Sequence, residues 1–252
     1  MILGVIGVGH LGAILVEALL DAGHPATDLR MTARGKAAGL AARHGLTLAP
    51  DTAAVVAGAD VVILTVRPKD ALAAVAGLPW RAGQKLISAC AGVPVASLAA
   101  VLPANLPVYR IMPLTAAAQK ASPTTLFPAD PAVAGLLAAF GPVVQLATEA
   151  QFETATVSAA VYGWVQRLVQ VTADWSVAQG LPLDAARQLA ALTTVAAGRN
   201  IADSPLPMDR LLAELVTPGG ITEKGLHVLD AHGVIPAWTA ACDAVQAKLA
   251  GG

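Results

Sequence analysis

Charged residues are scarce in this sequence. Asp, Glu, Lys and Arg make up only 13% of the 252 residues, and the formal net charge is −1. No cluster of Lys and Arg offers the positive surface that binds a phosphate backbone, so we expect no nucleic-acid partner. Hydrophobic residues make up 56% of the chain, so few charged residues are available to cover the surface of a monomer. This composition favours an oligomer in which part of each subunit's surface is buried in an interface.

Disulfides, metal sites and membrane spans are equally poorly supported. The two cysteines, Cys90 and Cys242, lie in apolar segments, so we expect two buried thiols. His227 and His232 are five residues apart, off one helical face, and we expect no metal. The mean hydropathy is +0.63, but Gly or Pro interrupts the long apolar runs, whereas a spanning helix needs about 20 apolar residues. With no basic leader before Ile2, we expect a cytoplasmic protein and no membrane partner.

Two kinds of pattern divide the chain. Short apolar runs alternate with helical segments over residues 1–150, and runs that are apolar on both faces predict a parallel sheet covered by helices on both sides. Over residues 151–252 only helical patterns remain, beginning with one long helix predicted at Phe152–Gln179. The predicted fold class is α/β, a doubly wound sheet followed by an all-α C-terminal domain.

A glycine motif follows the first predicted strand, Ile2–Ile6, and opens a helix. It reads Gly7-Val8-Gly9-His10-Leu11-Gly12. In such a G-x-G-x-x-G motif the first glycine allows a tight turn, the second lets a pyrophosphate approach the backbone, and the third permits close packing of helix and strand. The helix N-terminus adds free N–H groups for phosphates. Residues 1–150 are therefore predicted to form a Rossmann dinucleotide-binding domain; a tight turn without a ligand is the alternative.

The end of the second predicted strand bears on the choice of nicotinamide cofactor. NAD sites usually place an acid there, about 20 residues after the glycines, but this stretch reads Met31-Thr32-Ala33-Arg34-Gly35-Lys36. Arg34 can pair with a 2′-phosphate and Thr32 can donate a hydrogen bond. We expect NADP(H) to be preferred, with NAD(H) possible. The alternative is that Arg34 and Lys36 form only a solvated helix start.

A Pro-Gly-Gly loop marks the helical half. It reads Thr217-Pro218-Gly219-Gly220-Ile221-Thr222-Glu223-Lys224-Gly225. The loop predicts a sharp turn, after which Thr222 caps a new helix. Such a turn directs backbone N–H groups and two hydroxyls into one concavity, which suits a carboxylate. An ordinary capped turn between helices remains an alternative interpretation.

Together these segments resemble the pyrroline-5-carboxylate reductase family over nearly the whole chain. The resemblance rests on Gly7–Gly12, Val66-Arg67-Pro68, Ile87–Gly92, Arg110-Ile111-Met112-Pro113 and above all Val216–Gly225. It implies reduction of a cyclic imine carboxylate to proline with NAD(P)H. It also implies a homodimer formed through the C-terminal helices, possibly a higher oligomer, so that residues 151–252 would be the dimerisation and substrate domain.

The resemblance also implies roles for individual residues. Thr222 would be the catalytic residue, with its hydroxyl hydrogen-bonded to the ring nitrogen of the substrate. The substrate would contact Thr217, Gly219, Gly220, Ile221 and Thr222. We also expect substrate contacts at Ser158 and Tyr162, which lie in a segment that differs from the family pattern. The cofactor would contact Gly7, Gly9, His10, Leu11, Gly12, Thr32, Arg34, Thr65, Val66, Arg67, Pro68, Ala89, Ala91, Met112 and Pro113.

The chain departs from the family pattern at two places. Leu114-Thr115-Ala116 stands where the family has Asn-Thr-Pro, and Ser158–Tyr162 replaces a Ser-Gly-Ser-Gly-Pro stretch. These changes leave open a reductase of a different imine or carbonyl, or a non-catalytic NADP(H)-binding sensor. Alcohol oxidation would need a general base, and the long predicted helix contains no lysine. An iminium accepts hydride directly, so imine reduction needs mainly proximity and orientation.

Overall fold

The computed structural model describes residues 1–250, and its first half is built on one eight-stranded sheet. The strands are, in chain order, β1 (Leu3–Ile6), β2 (Leu29–Thr32), β3 (Leu48–Ala49), β4 (Val61–Leu64), β5 (Lys85–Ser88), β6 (Val108–Met112), β7 (Thr124–Phe127) and β8 (Val143–Gln145). Their order across the sheet is β3-β2-β1-β4-β5-β6-β7-β8. The predicted α/β class and doubly wound sheet are confirmed.

The sheet is parallel except at one pair of strands, β6 and β7. The chain between them contains only a 3₁₀ segment, Thr115–Gln119, which is too short for the crossover that a parallel connection needs. The sheet is therefore mixed, and the prediction of a parallel sheet is wrong at this pair.

Helices cover both faces of the sheet and make up the second half of the chain. They are α1 (His10–Asp21), α2 (Ala37–His44), α3 (Thr52–Gly58), α4 (Ala71–Val75), α5 (Val95–Ala99), α6 (Pro131–Leu137), α7 (Glu149–Thr156), α8 (Ser158–Ala178), α9 (Leu183–Asp203), α10 (Met208–Leu215), α11 (Ile221–Ala231) and α12 (Val234–Ala250). Successive residues of β4 enter different cores: Ile63 packs with residues of α1, whereas Val62 and Leu64 pack with residues of α3. This alternation explains why β4 is buried at every position.

The long helix predicted at Phe152–Gln179 is two helices. The first, α7, begins at a capping box in which Thr148 and Gln151 satisfy each other's backbone N–H groups. It ends at Thr156, and α8 begins at Ser158. No Gly or Pro marks this break in the sequence, so the 3.6-residue pattern runs through it.

Contacts divide the chain into two compact units. The first comprises Met1–Ala159 together with residues 246–250, and the second comprises Ala160–Val245. The predicted boundary at residues 150 and 151 lies within α7 and, as a limit between functional domains, stays a prediction. No helix among residues 1–250 is long and apolar enough to cross a membrane.

Both cysteines are free thiols. Cys90 is buried and Cys242 is partly exposed, so the expectation of two buried thiols holds for Cys90 and is wrong for Cys242 in a single subunit.

Candidate functional site

The glycine loop after β1 is held against the end of β4. Gly7 has a φ of +96°, and a Cβ added there would lie 2.6 Å from Cγ1 of Val66. A Cβ added at Gly12 would lie 2.6 Å from Oγ1 of Thr65. That hydroxyl in turn donates a hydrogen bond to the carbonyl oxygen of Gly7 at 2.7 Å. Only glycine fits at positions 7 and 12, the first because of its backbone conformation and the second because of packing.

Gly9 meets a different environment. A Cβ added to Gly9 would have no described atom within 4 Å, so the space in front of this residue is open. Gly9 is the N-cap of α1, and neither a side-chain cap nor an acidic first-turn residue covers the helix end. The loop thus presents backbone N–H groups and the positive end of a helix dipole to open space, as a pyrophosphate requires.

A cleft of about 510 Å³ lies beside this loop, between the ends of β1, β2 and β4. Four of the predicted cofactor residues line it: Gly7, Thr32, Arg34 and Val66. The guanidinium of Arg34 is exposed and has no hydrogen-bond or ion-pair partner within residues 1–250. The one carboxylate in the lining is Asp70, and it is paired with Arg67 at 3.0 Å. An unpaired cation at the end of β2 can therefore meet a phosphate.

One further cation, Lys36, lies on the same side of the glycine loop. The Nζ atom of Lys36 is 3.4 Å from Nδ1 of His10, and both side chains are exposed. The backbone N–H of Lys36 donates to the carbonyl oxygen of Val8 at 2.8 Å. This bond fixes the start of α2 beside the glycine loop, which keeps His10, Arg34 and Lys36 at one end of the sheet.

The remaining predicted cofactor residues follow the carboxyl ends of neighbouring parallel strands. Thr65–Pro68 follows β4, Ala89 and Ala91 follow β5, and Pro113 follows β6, whose last residue is Met112. The Sγ atom of Cys90 lies 3.4 Å from the carbonyl oxygen of Val66, which joins the first two segments. Burial raises the pKa of the Cys90 thiol, so this cysteine stays protonated at neutral pH. The structure thus gathers all of these residues at one edge of the sheet, where open α/β sheets bind ligands.

Leu114, one of the departures from the family pattern, is buried at this edge. Its backbone N–H donates to Oγ of Ser122 at 2.8 Å. The apolar side chain therefore packs inward, and Ser122 satisfies the backbone group.

The Pro-Gly-Gly turn lies in the second unit, between α10 and α11. Gly219 has a φ of +74°, and the Gly220 N–H donates to the carbonyl oxygen of Thr217 at 2.8 Å. The N-cap of α11 is Gly220, which has no side chain to cap the helix. The prediction that Thr222 caps α11 is therefore wrong: Thr222 is the second residue of the helix. Its exposed hydroxyl has no partner within the described chain, so it is free to contact a ligand.

Comparisons with known proteins place this arrangement in a family. A family model described as "Pyrroline-5-carboxylate reductase dimerisation" matches residues 149–251, and one described as "NADP oxidoreductase coenzyme F420-dependent" matches residues 2–92. The pyrroline-5-carboxylate reductase of Pseudomonas aeruginosa is 31% identical over 240 residues, covering 90% of this chain and 88% of the relative. The chain belongs to the pyrroline-5-carboxylate reductase family.

Solved structures agree on the fold of this family. The 1-pyrroline-5-carboxylate reductase of Streptococcus pyogenes matches with a TM-score of 0.88 at 24% identity, covering 100% of this chain and 99% of that one. The pyrroline carboxylate reductase of Plasmodium falciparum, solved with NADP bound, also has a TM-score of 0.88, at 19% identity and with 100% and 97% covered. Both structures therefore share the fold of this chain.

Two predicted substrate residues lie on α8 in this pyrroline-5-carboxylate reductase family member. Ser158 is the first residue of the helix and is exposed, and Tyr162 follows about one turn later and is half-buried. Farther along, the ring of Trp164 packs edge-to-face on Trp238 of α12, with centroids 5.4 Å apart. Trp164 thus packs within the second unit, whereas Trp175 is 65% exposed.

A buried arginine, Arg110 of β6, was not assigned a role from the sequence. Its side chain is only 1% exposed, and Nη1 donates to Glu149 at 2.8 Å and to Glu153. The guanidinium lies over the ring of Phe152, 4.6 Å from its centroid. Glu149 also accepts the backbone N–H of Val95 at 2.8 Å. This network fastens α7 to the sheet. No local sequence pattern indicates it, because the arginine and its glutamates are about forty residues apart.

A second cluster consists of Lys85, Tyr109 and Asp130. It lies near the N-terminal ends of β5 and β6, whereas the predicted cofactor residues follow the C-terminal ends of the strands. Asp130 accepts hydrogen bonds from the Tyr109 hydroxyl at 2.5 Å and from Lys85 at 2.9 Å, and it caps α6. Mainly the Tyr109 and Lys85 donors hold the pKa of Asp130 well below its usual range. Desolvation, followed by the Asp130 contact, raises the pKa of Tyr109. The cluster keeps Asp130 charged and Tyr109 neutral, which suits a structural role rather than proton transfer.

Proposed function

We propose that this chain is an NADPH-dependent reductase that transfers a hydride to a cyclic imine carboxylate, as the family name indicates, and so forms proline. The observation that carries the proposal is the open glycine loop at the edge of the sheet, with Gly9 facing free space and Arg34 unpaired in the adjoining cleft. A dinucleotide with a 2′-phosphate fits both features. Bound NADPH supplies the hydride.

The protein's own contribution is binding and orientation. Backbone N–H groups of the glycine loop and α1 would hold the pyrophosphate, and Arg34 and Thr32 the 2′-phosphate. The substrate carboxylate would be held by Thr217 and by the turn amides up to Thr222. The Thr222 hydroxyl would hydrogen-bond the ring nitrogen and fix the imine for hydride attack.

The test of this function is NADPH oxidation in the presence of pyrroline-5-carboxylate. Consumption of NADPH with formation of proline supports the proposal. Tight NADPH binding with no turnover on pyrroline-5-carboxylate or on other cyclic imines would instead support the non-catalytic sensor. Turnover on another imine or carbonyl, and not on pyrroline-5-carboxylate, would support the reductase with a different substrate.

Replacing Arg34 with alanine is expected to raise the KM for NADPH by about tenfold to a hundredfold. A hydrogen bond to a charged group contributes about 1.5–3 kcal/mol, and each 1.4 kcal/mol is tenfold. Steady-state kinetics with NADPH and NADH measure the effect. NADH is the matched control because it lacks the 2′-phosphate, and its KM should change by less than about twofold; equal losses for both cofactors would refute the assignment.

Replacing Thr222 with alanine is expected to lower kcat while the Kd for NADPH stays unchanged, because the hydroxyl would contact only the imine. The loss of one such hydrogen bond predicts about a tenfold decrease. Turnover and NADPH titration of the same preparation give the two values. The control is Thr222→Ser, which keeps the hydroxyl and should recover most of the rate; an undiminished kcat in the alanine variant would remove Thr222 from the site.

We also propose that two copies associate through the C-terminal helices as a homodimer. Large apolar side chains are exposed along α8 and α9 of a single subunit, including Leu168, Trp175, Leu189, Leu192 and Val195. So much exposed apolar surface is typical of a subunit interface, and the family model that matches residues 149–251 is named for dimerisation. A higher oligomer and a cytoplasmic location remain predictions.

A further inference from the structure

We propose that the carboxylate of Glu223 repels a substrate carboxylate at the Pro-Gly-Gly turn. It thereby lowers the kcat/KM for carboxylate-bearing cyclic imines, relative to that for neutral cyclic imines, by about tenfold. This inference rests on the proposed function, since it concerns the same turn. It goes further by identifying a residue that determines substrate specificity and the substrate class that it favours.

The observation is a hydrogen bond inside the turn. Oε2 of Glu223 accepts from the backbone N–H of Gly219 at 2.8 Å. Gly219 is one of the residues predicted to hold the substrate carboxylate, so the chain's own carboxylate already occupies this donor. The remaining amides of the turn, at Ile221 and Thr222, must hold a substrate carboxylate without it.

Glu223 also brings a negative charge close to those amides. The backbone nitrogens of Gly219 and Ile221 are two residues apart along the chain and so at most about 7 Å apart. With each carboxylate oxygen about 3 Å from its donor, a carboxylate bound at Ile221 and Thr222 would lie at most about 13 Å from the Glu223 carboxylate. The two would be about 7 Å apart when both project from the same side of the turn. At that distance and at a partly solvated surface, the repulsion between two unit charges is enough for about a tenfold loss of affinity.

Nothing in the described chain neutralises this charge by direct contact. No Lys or Arg of residues 1–250 forms an ion pair with Glu223. Lys224 is the adjacent residue, but its side chain leaves the helix about 100° away from that of Glu223 and is exposed. The N-terminal end of α11 therefore combines free N–H groups with a carboxylate that has no ion-pair partner in the described chain.

A purely structural role for Glu223 is the competing interpretation. A side chain at the third position of a helix can accept a hydrogen bond from the backbone just before the helix and so stabilise its first turn. Glutamine can make the same bond through its side-chain oxygen but has no charge. The Glu223→Gln variant therefore keeps the cap and removes the repulsion, which separates the two roles.

The experiment compares two substrates that differ in the carboxylate: pyrroline-5-carboxylate and 1-pyrroline. The measured quantity is the kcat/KM for pyrroline-5-carboxylate divided by the kcat/KM for 1-pyrroline. Both imines share the ring nitrogen, so an effect of Glu223 on the iminium cancels in this ratio. We expect the ratio to rise about tenfold in Glu223→Gln, and a ratio that falls or changes by less than twofold overturns the proposal.

The matched control is Asp230→Asn, which removes an exposed carboxylate from the same helix. Asp230 lies seven residues after Glu223, about 10 Å farther along the axis, where solvent and salt screen its charge. The ratio should change by less than twofold in this variant. An equal rise in both variants would show a general charge effect and overturn the specific role of Glu223.

Failure of the proposed function would give a different result. The wild-type protein would then consume NADPH with neither imine, and binding replaces turnover as the measurement. Calorimetric titration with L-proline and with pyrrolidine again compares a ligand that carries a carboxylate with one that lacks it. About tenfold tighter binding of L-proline by Glu223→Gln, with pyrrolidine unchanged, supports the inference, and equal changes for both ligands overturn it.

Discussion

Replacing Arg110 with alanine is expected to lower the free energy of unfolding by about 3 kcal/mol. The arginine is 1% exposed and pairs with both Glu149 and Glu153. Without the guanidinium, two carboxylates in a partly buried site lose their common partner and repel each other. The ring of Phe152 also loses its cation. Urea denaturation measures the change, and a loss below about 1 kcal/mol would contradict this account.

A triple variant is the control for charge balance. Arg110→Met combined with Glu149→Gln and Glu153→Gln removes all three charges while keeping most of the side-chain volume. Replacing a buried ion network by neutral groups is often close to neutral in stability. The amide side chain that Glu149→Gln introduces can still accept the Val95 N–H through its oxygen. The triple variant should therefore recover most of the stability that the single alanine variant loses.

Adding a methyl group to the glycine loop is expected to separate cofactor binding from folding. Gly9→Ala should raise the Kd for NADPH by about a hundredfold and leave the melting temperature unchanged. Its Cβ would meet no described atom but would occupy the space that the pyrophosphate needs. The loss of two charge-assisted hydrogen bonds of about 1.5 kcal/mol each accounts for the factor.

Gly12→Ala is the matched substitution on the side of the same loop that packs against Thr65. Its Cβ would lie 2.6 Å from Oγ1 of Thr65 and 2.7 Å from the carbonyl oxygen of Gly7. The loop must move to admit it, so we expect the free energy of unfolding to fall by about 1–3 kcal/mol. Fluorescence titration and thermal melting check both variants. A Gly9→Ala variant that binds NADPH normally would refute the phosphate role of the loop.

The sheet was predictable because buried parallel strands are apolar on both faces, as in the Val61–Leu64 run. Three features carried no comparable signal. The five residues of α4, Ala71–Val75, are too few to show a helical period. The antiparallel β6–β7 pair depends on the length of a connection rather than on a strand's own pattern. The break at Val157 is marked by no glycine or proline.

The candidate site was predictable where backbone geometry demands glycine, as at Gly7 and Gly12. It was not predictable where partners lie far apart in sequence. Arg110 and its two glutamates are about forty residues apart, and no local pattern links them. Thr222 was expected to cap α11 because hydroxyls are good caps, but Gly220 takes that position and leaves the hydroxyl free.

The return of the C-terminal residues to the first unit has a practical consequence for dissecting this protein. The polypeptide leaves the first unit after Ala159 and re-enters it at Gln246, where Gln246 contacts Thr154. Cutting the chain once near residue 160 therefore leaves the first unit incomplete, because the C-terminal fragment retains the residues of that unit that begin at Gln246. An expression clone of the second unit should end at Val245. A purification tag should not be inserted at either boundary, after Ala159 or before Gln246.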